Sequence, residues 1–154
     1  EKNIKFLITV EESDHPLAKE FLKTIKLPGI SDFFINIGKQ PENKMAQIYQ
    51  QCFGCLFPSF IETQCFGMIE AMAFAKPIIA TDFDFAKIVG ENAGIYHSIF
   101  NVDMWAETIH NLSYSPSMYD DYSKKCYKQF VKISNISSKT YSQYINILRN
   151  ISAR

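Results

Sequence analysis

Short apolar segments alternate with helical patterns along most of this 154-residue chain, and this alternation limits its fold more than any other feature. The apolar segments are rich in β-branched and aromatic residues and cover residues 3–10, 33–37, 53–57, 77–81 and 94–97. Apolar residues recur at helical spacing over residues 17–25, 41–51, 66–74 and 102–112, with a shorter helix within 82–89. Strands alternating with helices predict a Rossmann-like parallel sheet with helices on both faces, joined by right-handed crossovers.

The parallel arrangement also predicts where a ligand binds. In open α/β sheets, ligands bind beyond the carboxyl ends of the strands. The candidate loops are therefore those that follow Val10, Ile37, Phe57 and Thr81.

The segment after Ser115 differs from the rest of the chain because it is polar, rich in Ser and Tyr, and weakly patterned. We predict two helical stretches there, at residues 116–132 and 138–150. The predicted organisation is a Rossmann-like domain over residues 1–112 and a C-terminal helical extension over residues 113–154 that packs on it.

Composition excludes some classes of partner. Hydrophobic residues make up 47 % and charged residues 21 % of the chain, as in ordinary globular domains. Sixteen Lys and Arg balance sixteen Asp and Glu, so we expect no nucleic-acid partner. The lysines at 124, 125, 128 and 132 form one local basic segment, which we interpret as a solvated helix face, with peripheral membrane contact as the alternative.

Four cysteines bear on the cellular compartment: Cys52, Cys55, Cys65 and Cys126. Cys52 and Cys55 have the spacing of a redox or metal motif, but the motif continues into an apolar strand and has no second copy. We interpret the cysteines as small buried hydrophobes, with redox or metal chemistry as the alternative. Reduced thiols indicate a cytoplasmic protein.

Residues 57–73 begin at the predicted end of the third strand and contain two carboxylates, a predicted helix N-terminus and a glycine, which together indicate a ligand site. Glu62 lies in the loop and Glu70, eight positions later, near the start of the next helix. The helix N-terminus offers unpaired N–H groups to a phosphate, and Gly67 permits close approach of the backbone. On one side of the phosphate, Glu70 can accept hydrogen bonds from a vicinal diol such as that of a ribose. On the other side, Glu62 can reach the hydroxyls of a sugar. The alternative interpretation is that Glu70 only stabilises the helix terminus and Glu62 is a solvated charge.

This stretch resembles the signature of the family 4 (group 1) retaining glycosyltransferases. The matching residues are Pro58-Ser59, Glu62, Glu70-Ala-Met-Ala73, Ala75-Lys-Pro77 and the strand Ile78-Ile-Ala-Thr-Asp82. Residues 35–38, 88–94 and 101–105 extend the resemblance in the same order, so that it covers roughly residues 4–112.

The resemblance implies a GT-B fold, in which two Rossmann-like domains face a cleft and the C-terminal one binds the nucleotide-sugar donor. Glu62 matches the glutamate that contacts the donor sugar and is the candidate catalytic residue; Glu70 matches the one that contacts the ribose. The other donor-binding candidates, through backbone N–H groups that face the sugar or the diphosphate, are Cys65, Phe66, Gly67 and Met68. The implied donor is a UDP- or GDP-sugar, with no cofactor and no metal.

The chain departs from the family pattern at several positions. Gln64 and Cys65 stand where the family has Phe-Gly, Ala75 replaces a glycine whose position can need a positive φ, and Lys87 replaces a frequent glutamate. The family's first strand and helix, with a Gly-Arg and a Lys for the diphosphate, and its N-terminal acceptor-binding domain have no counterpart in this sequence. We therefore expect this chain to be part of a longer protein and to be inactive by itself.

The sequence is compatible with three alternatives. The first is the donor domain of a hexosyltransferase-type retaining enzyme in glycan or polysaccharide biosynthesis, cytoplasmic or peripheral on the inner face of the membrane. The second is a degenerate, non-catalytic nucleotide-sugar-binding or regulatory module. The third is a receiver or flavodoxin-like domain. The sequence disfavours a receiver because Phe57-Pro58 ends the third strand without an Asp, and a flavodoxin because the acidic segment Glu11-Glu-Ser-Asp14 after the first strand would repel phosphate.

Overall fold

A computed structural model describes residues 4–152 of the chain, which fall into two compact units. The first comprises the described residues up to Gln47, and the second those from Ile48 onward. The division at residue 112, predicted from the sequence, stays a prediction.

The first unit is built on two parallel strands, β1 (Phe6–Ile8) and β2 (Phe34–Asn36). Helix α1 (Ala18–Thr24) connects them and buries Ala18 and Leu22, whereas Leu17 and Phe21, apolar residues of the same predicted segment, are exposed. The ring of Phe34 packs against Phe6 at 5.3 Å between ring centroids. Helix α2 (Glu42–Gln51) begins in the first unit and ends in the second, and its half-buried residues are Met45, Ile48 and Tyr49.

The second unit contains a three-stranded parallel sheet in the order β3–β4–β5. Its strands are β3 (Cys55–Phe57), β4 (Ile78–Thr81) and β5 (Gly94–His97). The central strand β4 is buried along its whole length, which explains its uninterrupted apolar sequence. Strand β5 lies at one edge of this sheet.

The described ladders form one group of two parallel strands and one of three. The strands are also shorter than the apolar segments that predicted them; among the described residues 4–10, only the three of β1 form a strand. Apolar β-branched composition reflects the local preference for extended backbone, whereas a strand ends where its neighbour stops pairing. The α/β class with parallel strands flanked by helices is confirmed.

Helices account for most of the remaining second unit. They are α3 (Phe66–Ala73), α4 (Asp84–Gly90), α5 (Val102–Tyr114) and α6 (Pro116–Ser152). The two C-terminal stretches predicted from the sequence are a single helix of 37 residues. The segment between them, residues 133–137, holds Ser and Asn but neither Pro nor Gly, so it weakens the helical pattern without ending the helix.

The core of the second unit lies between α3, β4 and α6. Met68, Ala71 and Met72 are fully buried, and their spacing places them on one face of α3. Cys126 of α6 is also fully buried and belongs to the same cluster. The C-terminal helix is therefore part of this core. Within the described residues, no helix combines the length and apolar character needed to cross a bilayer.

Candidate functional site

The candidate site lies at the carboxyl ends of β3 and β4, where the parallel-sheet rule predicted a ligand. Residues 58–65 form the loop between β3 and α3. Thr81, the last residue of β4, is fully buried, and its hydroxyl donates a hydrogen bond to the carbonyl oxygen of Ser59 at 3.0 Å. The end of one strand thus holds the loop that follows its neighbour.

Glu62 is exposed in this loop, and its carboxylate is not isolated. The Ser59 hydroxyl donates to the Glu62 Oε1 atom at 2.9 Å. Phe60 packs edge-on against the ring of Phe83 after β4, at 5.3 Å between centroids. The carboxylate is therefore presented to solvent from a loop with side-chain contacts on both sides.

Cys65 lies at the junction of the loop and α3 in the left-handed conformation, with φ of 50° and ψ of 39°. Its side chain is buried, and its thiol lies 3.8 Å from the carbonyl oxygen of Phe85. Burial raises the pKa of the Cys65 thiol, and the Glu62 carboxylate adds to this effect. The thiol is therefore neutral and turned toward the core.

The first turn of α3 presents backbone N–H groups at the same end of the sheet. The Met68 N–H donates to the carbonyl oxygen of Cys65 at 3.0 Å, and the Met68 side chain is fully buried. The N–H groups of Phe66 and Gly67 make no hydrogen bond with any residue between 4 and 152. Two free donors at a positive helix end are the arrangement that binds phosphate oxygens.

Gly67 is not required by the fold of the free chain. A methyl group at this position would lie 3.5 Å from the Phe57 ring and 3.7 Å from the Tyr49 hydroxyl, which are ordinary contacts. An alanine in a helix is also more favourable than a glycine by about 1 kcal/mol. The glycine therefore lowers stability slightly, and it leaves the backbone open to close approach.

Glu70 is exposed one turn into α3, and Tyr49 of α2 lies beside it. The Tyr49 hydroxyl donates to the carbonyl oxygen of Gly67 at 3.4 Å, and its ring stacks on Phe74 at 6.0 Å. Burial is the main cause that raises the pKa of Tyr49, and the Glu70 carboxylate contributes. The sequence gave no signal that Tyr49 would reach the first turn of α3.

The cysteine pair forms no disulfide, since Cys52 and Cys55 are both free and half-buried. Burial raises the pKa of Cys55 to about 12, so its thiol is protonated at neutral pH. Across residues 4–152, no group of three or more His, Cys, Asp and Glu side chains is placed to hold a metal ion.

Comparison with known proteins defines the class. Among solved structures, the chain is similar to the sucrose-phosphate synthase of Thermosynechococcus elongatus, with a TM-score of 0.78, 17 % identity, and coverage of 96 % of this chain and 39 % of that one. It is also similar to TarM, with a TM-score of 0.72, 19 % identity, and coverage of 90 % and 28 %. These likenesses define the Rossmann-like fold of GT-B proteins. A comparison with curated proteins gives no match.

The family model described as glycosyl transferases group 1 matches residues 1–114. The chain belongs to this family of transferases. The resemblance seen in residues 58–82 is thereby confirmed at the level of the family, and the receiver or flavodoxin-like alternative is wrong. The chain spans well under half the length of the two similar structures.

Proposed function

We propose that this chain is the donor-binding part of a retaining group 1 glycosyltransferase, in the C-terminal domain of a GT-B protein. The observation that supports this most is the pair of free N–H groups at Phe66 and Gly67, which lie between the exposed carboxylates of Glu62 and Glu70. The donor is a UDP- or GDP-sugar.

The three binding elements have separate roles in this proposal. The N–H groups and dipole of α3 bind the diphosphate and stabilise the charge that it gains as it leaves. Glu70 accepts hydrogen bonds from the ribose hydroxyls, and Glu62 does so from the sugar. During transfer, the bond between the anomeric carbon and the diphosphate breaks, and an acceptor oxygen forms the new glycosidic bond. The acceptor proton passes to the departing diphosphate, with retention at the anomeric carbon.

The rest of the activity belongs to a longer protein in this proposal. The acceptor, a growing glycan or polysaccharide, is bound by an N-terminal domain, and the chain alone is inactive. Basic residues for the diphosphate also come from outside this sequence. Lys76 is unsuited to that task, because its ammonium group donates to the carbonyl oxygen of Gln50 at 3.0 Å, near the opposite end of α3. The protein acts without metal, in the cytoplasm or at its membrane surface.

Titration of the ¹⁵N-labelled chain with UDP, GDP and ADP at up to millimolar concentration tests the proposal. We expect amide shifts confined to residues 58–72 with one preferred nucleotide. Glu70→Ala should weaken binding by about tenfold or more, the cost of losing hydrogen bonds to a charged group. Gly67→Ala should also weaken binding while leaving the free chain as stable as before. Glu107 is an exposed carboxylate on α5, and Glu107→Ala is the matched control. It should change neither nucleotide binding nor the stability of the free chain.

Two outcomes contradict the proposal: no shift of these amides with any nucleotide, or shifts that Glu70→Ala leaves unchanged. Nucleotide binding by the chain, combined with no sugar transfer by the protein that contains it, would favour the degenerate binding module instead.

A further inference from the structure

We propose that Thr81 and Ser59 are positioning residues that hold the carboxylate of Glu62 in one orientation. The hydroxyl of Thr81 fixes the backbone at Ser59, and the hydroxyl of Ser59 fixes the side chain of Glu62. The inference rests on the proposed function in one respect only, the role of Glu62 toward the donor sugar.

The first step in this chain of contacts is a buried hydroxyl in an apolar strand. The other residues of β4 are Ile78, Ile79 and Ala80, and Thr81 is as fully buried as Ala80. Valine has the same shape as threonine and suits a buried strand equally well. A buried hydroxyl costs free energy unless it is hydrogen-bonded, and the bond to Ser59 supplies that partner. The hydroxyl therefore acts on the loop.

The second step acts on an exposed side chain. Glu62 lies in a solvent-exposed loop segment, where a glutamate without a partner samples several rotamers. The 2.9 Å hydrogen bond from Ser59 selects among them, and it can do so only if Ser59 is itself fixed. Its carbonyl oxygen, anchored by Thr81, meets that condition. A carboxylate oriented before the donor arrives saves the ordering cost on binding.

The free chain tests the positioning directly. Three-bond couplings from the backbone ¹⁵N and ¹³C′ nuclei to the Glu62 ¹³Cγ nucleus report its χ1 rotamers. We expect one dominant rotamer in the wild type and averaged couplings in Ser59→Ala and Thr81→Val. Thr81→Ser keeps the hydroxyl and should restore the dominant rotamer.

The matched control is Thr108→Val in α5. Thr108 is also a buried threonine, and its hydroxyl is hydrogen-bonded to the side chain of His97 at 2.7 Å. The Thr108→Val substitution should lower the stability of the chain much as Thr81→Val does and leave the Glu62 couplings unchanged. Averaged couplings in the wild type, or a single rotamer kept in Ser59→Ala and Thr81→Val, would overturn the proposal. Ser59→Ala removes a half-buried hydroxyl and keeps the test decisive if Thr81→Val does not fold.

A second measurement connects the orientation to the sugar. The affinities for UDP and UDP-glucose, or GDP and GDP-mannose, are compared in the same variants. We expect Ser59→Ala and Thr81→Val to lower the affinity for the nucleotide sugar about three- to tenfold, the effect of one hydrogen bond, with unchanged affinity for the nucleotide. Equal effects on both ligands would contradict a role toward the sugar. Absence of any nucleotide binding by the wild type would contradict the proposed function, whereas the coupling result would still decide the positioning.

Discussion

Cys65 and Ala75 stand where the family pattern has glycine. Each adopts the left-handed backbone conformation, with φ of 50° and 53°. They flank α3 at its two ends. At the C-terminal end, the Ala75 N–H donates to the Met72 carbonyl oxygen and the Lys76 N–H to that of Ala71, each at 3.0 Å, which is the Schellman pattern. Both residues therefore adopt the left-handed backbone conformation that glycine favours. At Cys65, this strain lies within the candidate site, as strained residues often do.

Ala75→Gly should stabilise the second unit. The left-handed conformation costs an alanine about 1–2 kcal/mol, and the greater freedom of glycine in the unfolded chain offsets part of the gain. We expect an increase of about 0.5–1 kcal/mol in the free energy of unfolding. Urea denaturation followed by fluorescence measures it, since the single tryptophan, Trp105, lies in this unit.

Ala73→Gly is the control for this prediction, because Ala73 is the last helical residue of α3 and lies two positions away. The same substitution there should lower the free energy of unfolding by up to about 1 kcal/mol. If both variants changed the free energy of unfolding in the same direction, the backbone conformation of Ala75 would not be the cause of the change.

At the scale of elements, the segment between α4 and β5 is shaped by one aromatic ring. Gly90 and Gly94 both lie against Tyr96, and a methyl group on Gly94 would approach the ring to 2.5 Å. The Tyr96 hydroxyl donates to the carbonyl oxygen of Glu91 at 2.9 Å, so the ring cannot move without losing this bond. The resemblance to the family in residues 88–94 therefore has a structural basis in packing, separate from the candidate site.

Gly94→Ala should destabilise the second unit by about 1–3 kcal/mol, the usual cost of inserting a methyl group into a packed core. Its φ of −87° suits alanine, so the cost arises from the ring and not from the backbone. A double-mutant cycle with Tyr96→Leu, followed by urea denaturation, checks this cause.

In that cycle, the cost of Gly94→Ala should largely disappear once the ring is removed. Gly67→Ala, which inserts a methyl group at ordinary contact distances, is the matched control and should leave stability unchanged or slightly higher. An undiminished cost in the Tyr96→Leu background would contradict the steric explanation.

At the scale of the molecule, α6 completes the core of the second unit. Cys126 is fully buried and its thiol lies 3.5 Å from the carbonyl oxygen of Ala93. Gln129 is also buried, and its side-chain amide donates to the carbonyl oxygen of Val89 at 2.9 Å. The packed face of α6 therefore supports α3, the helix on which the candidate site is built.

Truncation after Ser115 should abolish cooperative unfolding of the second unit, because it exposes the buried face of α3. Circular dichroism and Trp105 fluorescence during thermal denaturation measure the loss. Truncation after Ser137 is the control, since it keeps Cys126, Gln129 and the partly buried Phe130 and Ile133. A folded, cooperative product ending at Ser115 would contradict the role of α6 in the core.

The sequence by itself determined the order and type of nearly all the elements, the two carboxylates and the family. Local composition is sufficient for these, because apolar periodicity reflects burial and because Glu62 and Glu70 belong to one short motif. Only the tertiary structure decided which groups meet: Thr81 reaches Ser59 from 22 residues away, and Tyr49 reaches Gly67 from 18. It also decided that the weakly patterned C-terminus is one continuous helix. Such contacts depend on how strands and helices pack in space, which a local pattern in the sequence does not record.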